Sequence, residues 1–573
     1  MKNRLMILLI FLSAIYSCSL DEKMLSNPRP EDYFQNEPQC LSALNACYPP
    51  FRVIYNNINY LMICETQTDI MYSTKLGHVN SILQVSPSSP AFGSTMWQQG
   101  YLGVMRANAA YAGISRSPLS EEQKVPLIAE AVVLRALYYY VLTSNFGNVP
   151  YYTEEVTSAN NMDISRIPRM SAHDIRNALI DELYLWLVEK KALDFKRTND
   201  ETNKQQYRFG AAVGLFLAGK MCLWEERWTE AIEFFGYLED IYAPGVEDPS
   251  LLLAKYPLAD IPFNVRNAPE VILEISQTFT DYGLRLQGSL ASYMQPIRSD
   301  TEPEEDIDDS EIIEEPDNDL YNGICIPELG KYSRTHVPIR PTKRFYKELM
   351  PWDSPDRRRA SYEITVTSSS EVGEVVEISD GGGYLAWGWP GYALEDDRST
   401  TDPKFRLFTS VSKPTGRPFC GNKFWCFGMR MSYDTNSYKV FRFAGAVLGL
   451  AEAWFRAGDY KKACAYLNAV KGRAGLLPVS PSDFRDPDDL LEEIQDECAR
   501  ELFGEYQRKH DLVRWGIWYD MVMKYNADKT TGENNTRLRS NIKRCHEYYP
   551  IPAEQITYSG GALDNDEYNR YGL

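Results

Sequence analysis

Residues 497–516 read ECARELFGEYQRKHDLVRWG and concentrate side chains that could do chemistry. Glu497, Glu501, Glu505 and Asp511 alternate with Arg508 and Arg514. Two carboxylates in a cleft can act as general acid and base in glycoside hydrolysis, provided their surroundings hold the two pKa values apart. The spacing favours another role. As one helix closed by Trp515-Gly516, the stretch brings Glu501–Glu505 and Arg508–Asp511–Arg514 together at intervals of three and four residues. Each carboxylate then has an arginine within a turn, which keeps both ionised. Leu502, Leu512 and Trp515 add apolar packing. The expectation is a set of structural ion pairs, Glu501, Glu505, Arg508, Asp511 and Arg514, and no catalytic residue.

Other chemistries find little support. Five histidines are scattered without a C-x-x-C or H-E-x-x-H pattern, so no zinc site and no cofactor are expected. Segment 300–319 holds twelve acidic residues in twenty, but Glu311 stands where a calcium loop needs glycine, so it reads as solvated loop. A formal charge of −19 offers no basic field to neutralise phosphates, which argues against nucleic acid. Aromatic residues reach 13%, with 38 tyrosines and 11 tryptophans, a supply that suits flat amphipathic ligands as well as a core.

The elements that must position these groups begin with a leader. Lys2 and Arg4 precede an apolar run from Leu5 to Ile15, too short to span a membrane comfortably. Cys18 follows as in a bacterial lipobox, although Tyr16 stands where a small residue is usual. Lipidation of Cys18 is expected, and Asp21 and Glu22 just beyond it resemble the surface-export signal of Bacteroides-like lipoproteins. Loss of 1–17 leaves a charge of −21. With no further run of about 20 apolar residues, membrane attachment must be through lipid. Cys40, Cys47, Cys222, Cys464 and Cys498 fall in helical patterns and read as buried thiols; Cys420–Cys426 is the pair to test for a disulfide.

Helical periodicity fills residues 31–242 and 437–573, while 243–436 is rich in Pro, Gly, Asp and Tyr. Residues 1–17 are leader and 18–30 anchor and linker. Gly219, Leu223, Trp228, Ala231 and Phe235 align with Ala451, Phe455, Tyr460, Ala463 and Leu467, the small–large–aromatic pattern of a tetratricopeptide hairpin. Such hairpins cannot bury their apolar faces alone, so the dispersed copies must pack into one scaffold. The expected fold is mainly α: a tetratricopeptide-like helical scaffold made of both blocks, with an irregular, loop-rich ligand-binding region and a few short strands.

Five stretches in order resemble the SusD/RagB family: AEAVVLRALYYYVLTSNFGNVPYY (129–152), PTKRFYKELMPWDSPDRRR (341–359), FRFAGAVLGLAEAWFRAGDYKKACAYLNAVKGRAGL (441–476), the opening stretch, and YYPIPAEQI (548–556). Cys498 departs from the family's frequent arginine, which removes an ion pair, and the terminal ALDNDEYNRYGL follows its close only faintly. The resemblance implies a non-catalytic outer-membrane lipoprotein that captures oligosaccharides above a SusC-like TonB-dependent transporter. Capture of peptides or another nutrient by the same lid mechanism is the alternative, with a glycoside hydrolase further behind. It also places ligands on an arc of aromatics laid over the scaffold. The candidates are Asp69 and Tyr72 in ETQTDIMYS, Trp97 in STMWQQGY, Tyr293 in SLASYMQPIRSD, and Tyr384, Trp387, Trp389 and Tyr392 in GGGYLAWGWPGY.

Overall fold

The computed structural model describes residues 33–74, 77–193, 208–277, 288–294, 339–351, 354–359, 363–368, 371–377, 385, 420–426, 434–527 and 533–573. Cys18, the acidic segment 300–319 and the aromatic residues of 384–392 lie outside them.

Helices α1 (Glu37–Asn45), α2 (Tyr48–Tyr55), α3 (Phe92–Arg116), α4 (Glu121–Phe146) and α5 (Ala172–Leu183) form the first part of the scaffold. α4 starts in a capping box, Ser120 with Gln123, and is closed by Gly147 in the left-handed region. Every residue from Leu127 to Phe146 is buried, as expected of a helix that is apolar all round. By length and composition α4 could cross a membrane, which corrects the expectation that no further run qualifies. Protein, however, encloses 89% of its most apolar window.

Two further hairpins follow, α6 (Ala211–Trp224) with α7 (Trp228–Tyr242) and α9 (Phe443–Arg456) with α10 (Tyr460–Arg473). They stack through α7 and α9 despite the sequence between them. Phe235 makes the joint: a Cβ built on Gly219 would lie 2.5 Å from one edge of its ring, and one built on Gly449 would lie 2.5 Å from the other. Small residues here let three helices share one phenyl ring.

Short strands stitch the loop-rich block to this scaffold. β1 (Met71–Ser73) pairs antiparallel with β5 (Ile339–Pro341), Tyr72 opposite Arg340. β2 (Val149–Pro150) pairs with β3 (Arg169–Met170), β4 (Val271–Ile275) with β8 (Tyr438–Arg442), and β6 (Glu363–Ser368) with β7 (Glu371–Glu377). Phe441 of β8 stacks on Phe216 of α6 at 4.5 Å, so the β4–β8 ribbon sits on the helical core. The short helix α8 (Leu290–Met294) stands beside it. Cys420 and Cys426 are free thiols, not a disulfide: one sulfur lies 3.9 Å from the Ile339 carbonyl, the other 3.8 Å from Thr435 Oγ1.

The opening stretch is not one helix. α11 (Pro487–Glu501) stops at Glu501, and a turn of six residues leads to α12 (Arg508–Arg514) and α13 (Trp518–Tyr525). Gly504 takes φ +76° and Tyr506 φ +63°, a reversal that helical periodicity does not announce. A side chain at 504 would also strike Phe424, 2.4 Å from the position of its Cβ.

Candidate ligand-binding face

The turn after α11 sends its carboxylates toward arginines from elsewhere in the chain. Glu501 receives Arg473 at 2.6 Å, and Arg358 and Arg442 at 2.9 Å. Glu505 receives Lys423 at 2.6 Å and Arg442 at 2.8 Å. Glu497 pairs with Arg358 at 2.6 Å and Arg500 at 2.8 Å, while Glu270 pairs with Arg473 at 2.7 Å and Arg442 at 2.9 Å. With Asp356 and Glu493 the cluster counts six carboxylates, matched by Arg358, Lys423, Arg442, Lys471, Arg473 and Arg500 among the described residues. This arrangement differs from pairing along one helix. Of the expected local pairs, Asp511–Arg514 forms at 2.9 Å, and Asp511 also takes Lys220 at 2.7 Å. Arg514 and the Trp515 indole both donate to Glu452, at 2.6 and 2.8 Å.

Burial alone would push these carboxyls up, but the surrounding cations outweigh it. Glu497 is held down at about 2 by Arg358 and Arg500, and Glu501 lies below the usual carboxylate range beside Arg473, Arg442 and Arg358. Such groups neither take nor give a proton near neutral pH, and no solvent reaches them. They clamp β8, the 354–359 segment, the 420–426 segment and the end of α10 to α11.

Asp69 belongs to a second clamp. It is fully buried and accepts from Arg508 at 2.7 and 2.9 Å, and it also pairs with Arg344. Its loop is tied down by Asn526, whose amide donates to the carbonyls of Thr66, Thr68 and Met71 at 2.6–3.0 Å. The expected ligand contact at Asp69 is therefore corrected: its charge is spent inward. Trp97 is corrected too. It sits in α3 at 4% exposure, edge-on to Phe146 at 5.1 Å and against Tyr101 at 4.9 Å.

What these clamps carry outward is β1 and the loop after it. Tyr72 is largely covered, with Tyr346 beside it. Ser73 Oγ hydrogen-bonds His78 Nδ1 at 2.7 Å, and the His78 ring stacks on Tyr293 of α8, centroids 5.7 Å apart and planes inclined by 27°. Both rings are half-buried. Two aromatic planes at a loop surface can meet the apolar face of a sugar ring, and the imidazole, oriented by the buried Ser73 hydroxyl, can meet a sugar hydroxyl. The structure thus brings Tyr72, His78 and Tyr293 to one region and takes Asp69 and Trp97 into the interior. His78 was missed from sequence: a lone histidine in KLGHVN carries no pattern, and its proximity to Tyr293 is tertiary.

Residues 428–568 match the model of the SusD family, and residues 55–173 match one described as starch-binding associating with outer membrane. The SusD-like protein P25 of Formosa agariphila is 23% identical over 607 aligned positions, covering 99% of each chain. The starch-binding protein SusD of Bacteroides thetaiotaomicron is 31% identical over 138 residues, 24% of this chain and 22% of that one. Among solved structures, surface glycan-binding protein A from Bacteroides thetaiotaomicron in complex with laminarihexaose superposes with a TM-score of 0.63 at 19% identity, covering 92% of this chain and 99% of the other.

Proposed function

Starting from the chain's membership of the SusD family, we propose that it is a non-catalytic glycan-binding protein of the cell surface, anchored through Cys18. It holds oligosaccharides over a SusC-like TonB-dependent transporter for import. The observation that carries this reading is the half-buried His78–Tyr293 stack beside Tyr72, on a scaffold whose Glu497–Glu505 carboxylates are locked by arginines. Tyr384, Trp387, Trp389 and Tyr392, which lie outside the described residues, are further candidate contacts from the sequence. Affinity comes from ring stacking and hydroxyl hydrogen bonds, with no bond made or broken.

Calorimetric titration of chain 19–573 with laminarihexaose, starch oligosaccharides and acidic glycans tests the proposal. One glycan is expected to bind, and Tyr293→Ala or Trp387→Ala/Trp389→Ala to weaken it about tenfold, or about 1.4 kcal/mol. Binding of cationic peptides with no glycan bound would overturn it.

A further inference from the structure

α8 is five residues long, too short to be stable alone, yet it holds Tyr293 against His78. Its first amides would be orphaned in a buried setting without acceptors from outside the helix. The Leu290 N–H donates to Tyr438 Oη at 2.9 Å, and the Ala291 N–H donates to Asp434 Oδ2 at 2.8 Å. Tyr438 Oη in turn lies 3.1 Å from both Asp434 oxygens, to which it donates. Gly288 and Asp434 exchange a pair of backbone hydrogen bonds, Gly288 N–H to Asp434 O at 3.0 Å and Asp434 N–H to Gly288 O at 2.8 Å. The Asn436 N–H, at 3.2 Å, completes the ring of donors around the carboxylate. A residue 143 positions away thus caps the helix that presents the aromatic ring.

We infer that Asp434, seconded by Tyr438, is the positioning residue of the Tyr293 ring and sets glycan affinity without touching the glycan. The inference rests on Tyr293 being a contact in the proposed function. Asp434 is fully buried, as are Tyr438 of β8 and Tyr506 of the turn after α11, with Cys426 of the 420–426 segment nearly so. Those three groups face it, while Arg52 of α2 faces Tyr438 and Arg266 lies toward Cys426. Burial lifts the Asp434 carboxyl to about 6 against the partial pull of these hydrogen bonds. Once protonated it accepts less well, so α8 loosens as pH falls through that value. The sign for global stability is opposite. The folded chain holds this proton more tightly than the unfolded one, so Asp434 itself makes folding more favourable from pH 6 down toward 4. Asp434 thus acts on affinity and on stability with opposite sign as pH falls, and that opposition, read as the difference between wild type and Asp434→Asn, is the mark of positioning.

Amide hydrogen exchange of residues 288–294 needs no ligand and comes first. Asp434→Asn and Tyr438→Phe are each expected to speed exchange at Leu290 and Ala291 at least tenfold with Tm little changed; unchanged exchange in both overturns the inference. Laminarihexaose titration then gives the functional arm. Asp434→Asn should weaken binding severalfold in wild-type background and not at all in a Tyr293→Ala background. Additive losses overturn the inference, whereas a Tyr293→Ala variant that binds as wild type instead overturns the contact reading. Wild-type affinity should fall below about pH 6 and Asp434→Asn should lack that step; a step that persists in Asp434→Asn refutes Asp434 as its source. Should laminarihexaose not bind, the exchange measurement alone decides.

Discussion

Replacing one oxygen of Glu501 by nitrogen would hardly change its volume, yet it would leave Arg358, Arg442 and Arg473 converging on a neutral amide in a dry space. Removing one partner from a buried charge network costs about 3–5 kcal/mol, because the remaining charges keep their desolvation penalty. Glu501→Gln is therefore expected to lower unfolding free energy by that amount in chemical denaturation, without altering glycan affinity. A change below about 1 kcal/mol would show that the cluster is already hydrated and weak. From the sequence alone, the acidic and basic character of this stretch was plain, and so was its unsuitability for acid–base catalysis. Its partners were not, since Arg358 lies 143 positions from Glu501. The same blindness misplaced Asp69: a Thr-Asp loop reads as surface until Arg344 and Arg508 are seen to enclose it.

At the scale of elements, the hairpins were legible because a helix writes its buried face into its own periodicity. Gly219 and Phe235 stood out in this way as positions of one hairpin pattern, and their contact is seen in the structure. Gly449 was not, for its role belongs to the joint between hairpins and no local pattern encodes it. The ring of Phe235 fills the space on both sides, so Gly449→Ala should overpack the α7–α9 contact and cost about 1–3 kcal/mol. Adding Phe235→Leu should recover part of that loss, since the two substitutions act on one volume and cannot be additive. Thermal unfolding of the four proteins of this cycle measures it; strict additivity would mean that the helices simply move apart. The turn at Gly504 was hidden for a different reason. Glu501, Glu505 and Arg508 keep helical spacing across it, and only the left-handed backbone at 504 and 506 breaks the helix.

For the molecule as a whole, the clamps join parts that the sequence separates: Asp69 with Arg508, Glu270 with Arg442 and Arg473, and Arg358 with Glu497. Residues 33–242 and 437–573 should accordingly unfold together, in one calorimetric transition. Its pH dependence follows from opposing groups. Glu497, held at about 2 against an ordinary 4.5, contributes stability that is complete above 4.5 and lost as pH falls toward 2, about 3 kcal/mol for this one group. Glu501, Glu505 and Asp511 act in the same direction. Glu65 acts in the other: burial, only partly offset by backbone amides around residues 504–508, lifts it to about 8. Between 4.5 and 8 the folded chain therefore keeps a proton that the unfolded chain has released, and stability declines as pH rises. Asp434 adds to that decline up to about 6. Buried His510 and His546, held down at about 3 and about 4, work the other way: up to 6.5 the unfolded chain binds protons that the folded chain refuses, so they add stability as pH rises. Between 4.5 and 6.5 the two carboxyls and the two imidazoles offset one another, and Tm falls steeply only below about pH 4. Two resolved transitions would show that the clamps do not couple the blocks, and a Tm profile between pH 5 and 8 whose slope Glu65→Gln leaves unchanged would show that the Glu65 carboxyl is hydrated and ionised in the folded protein.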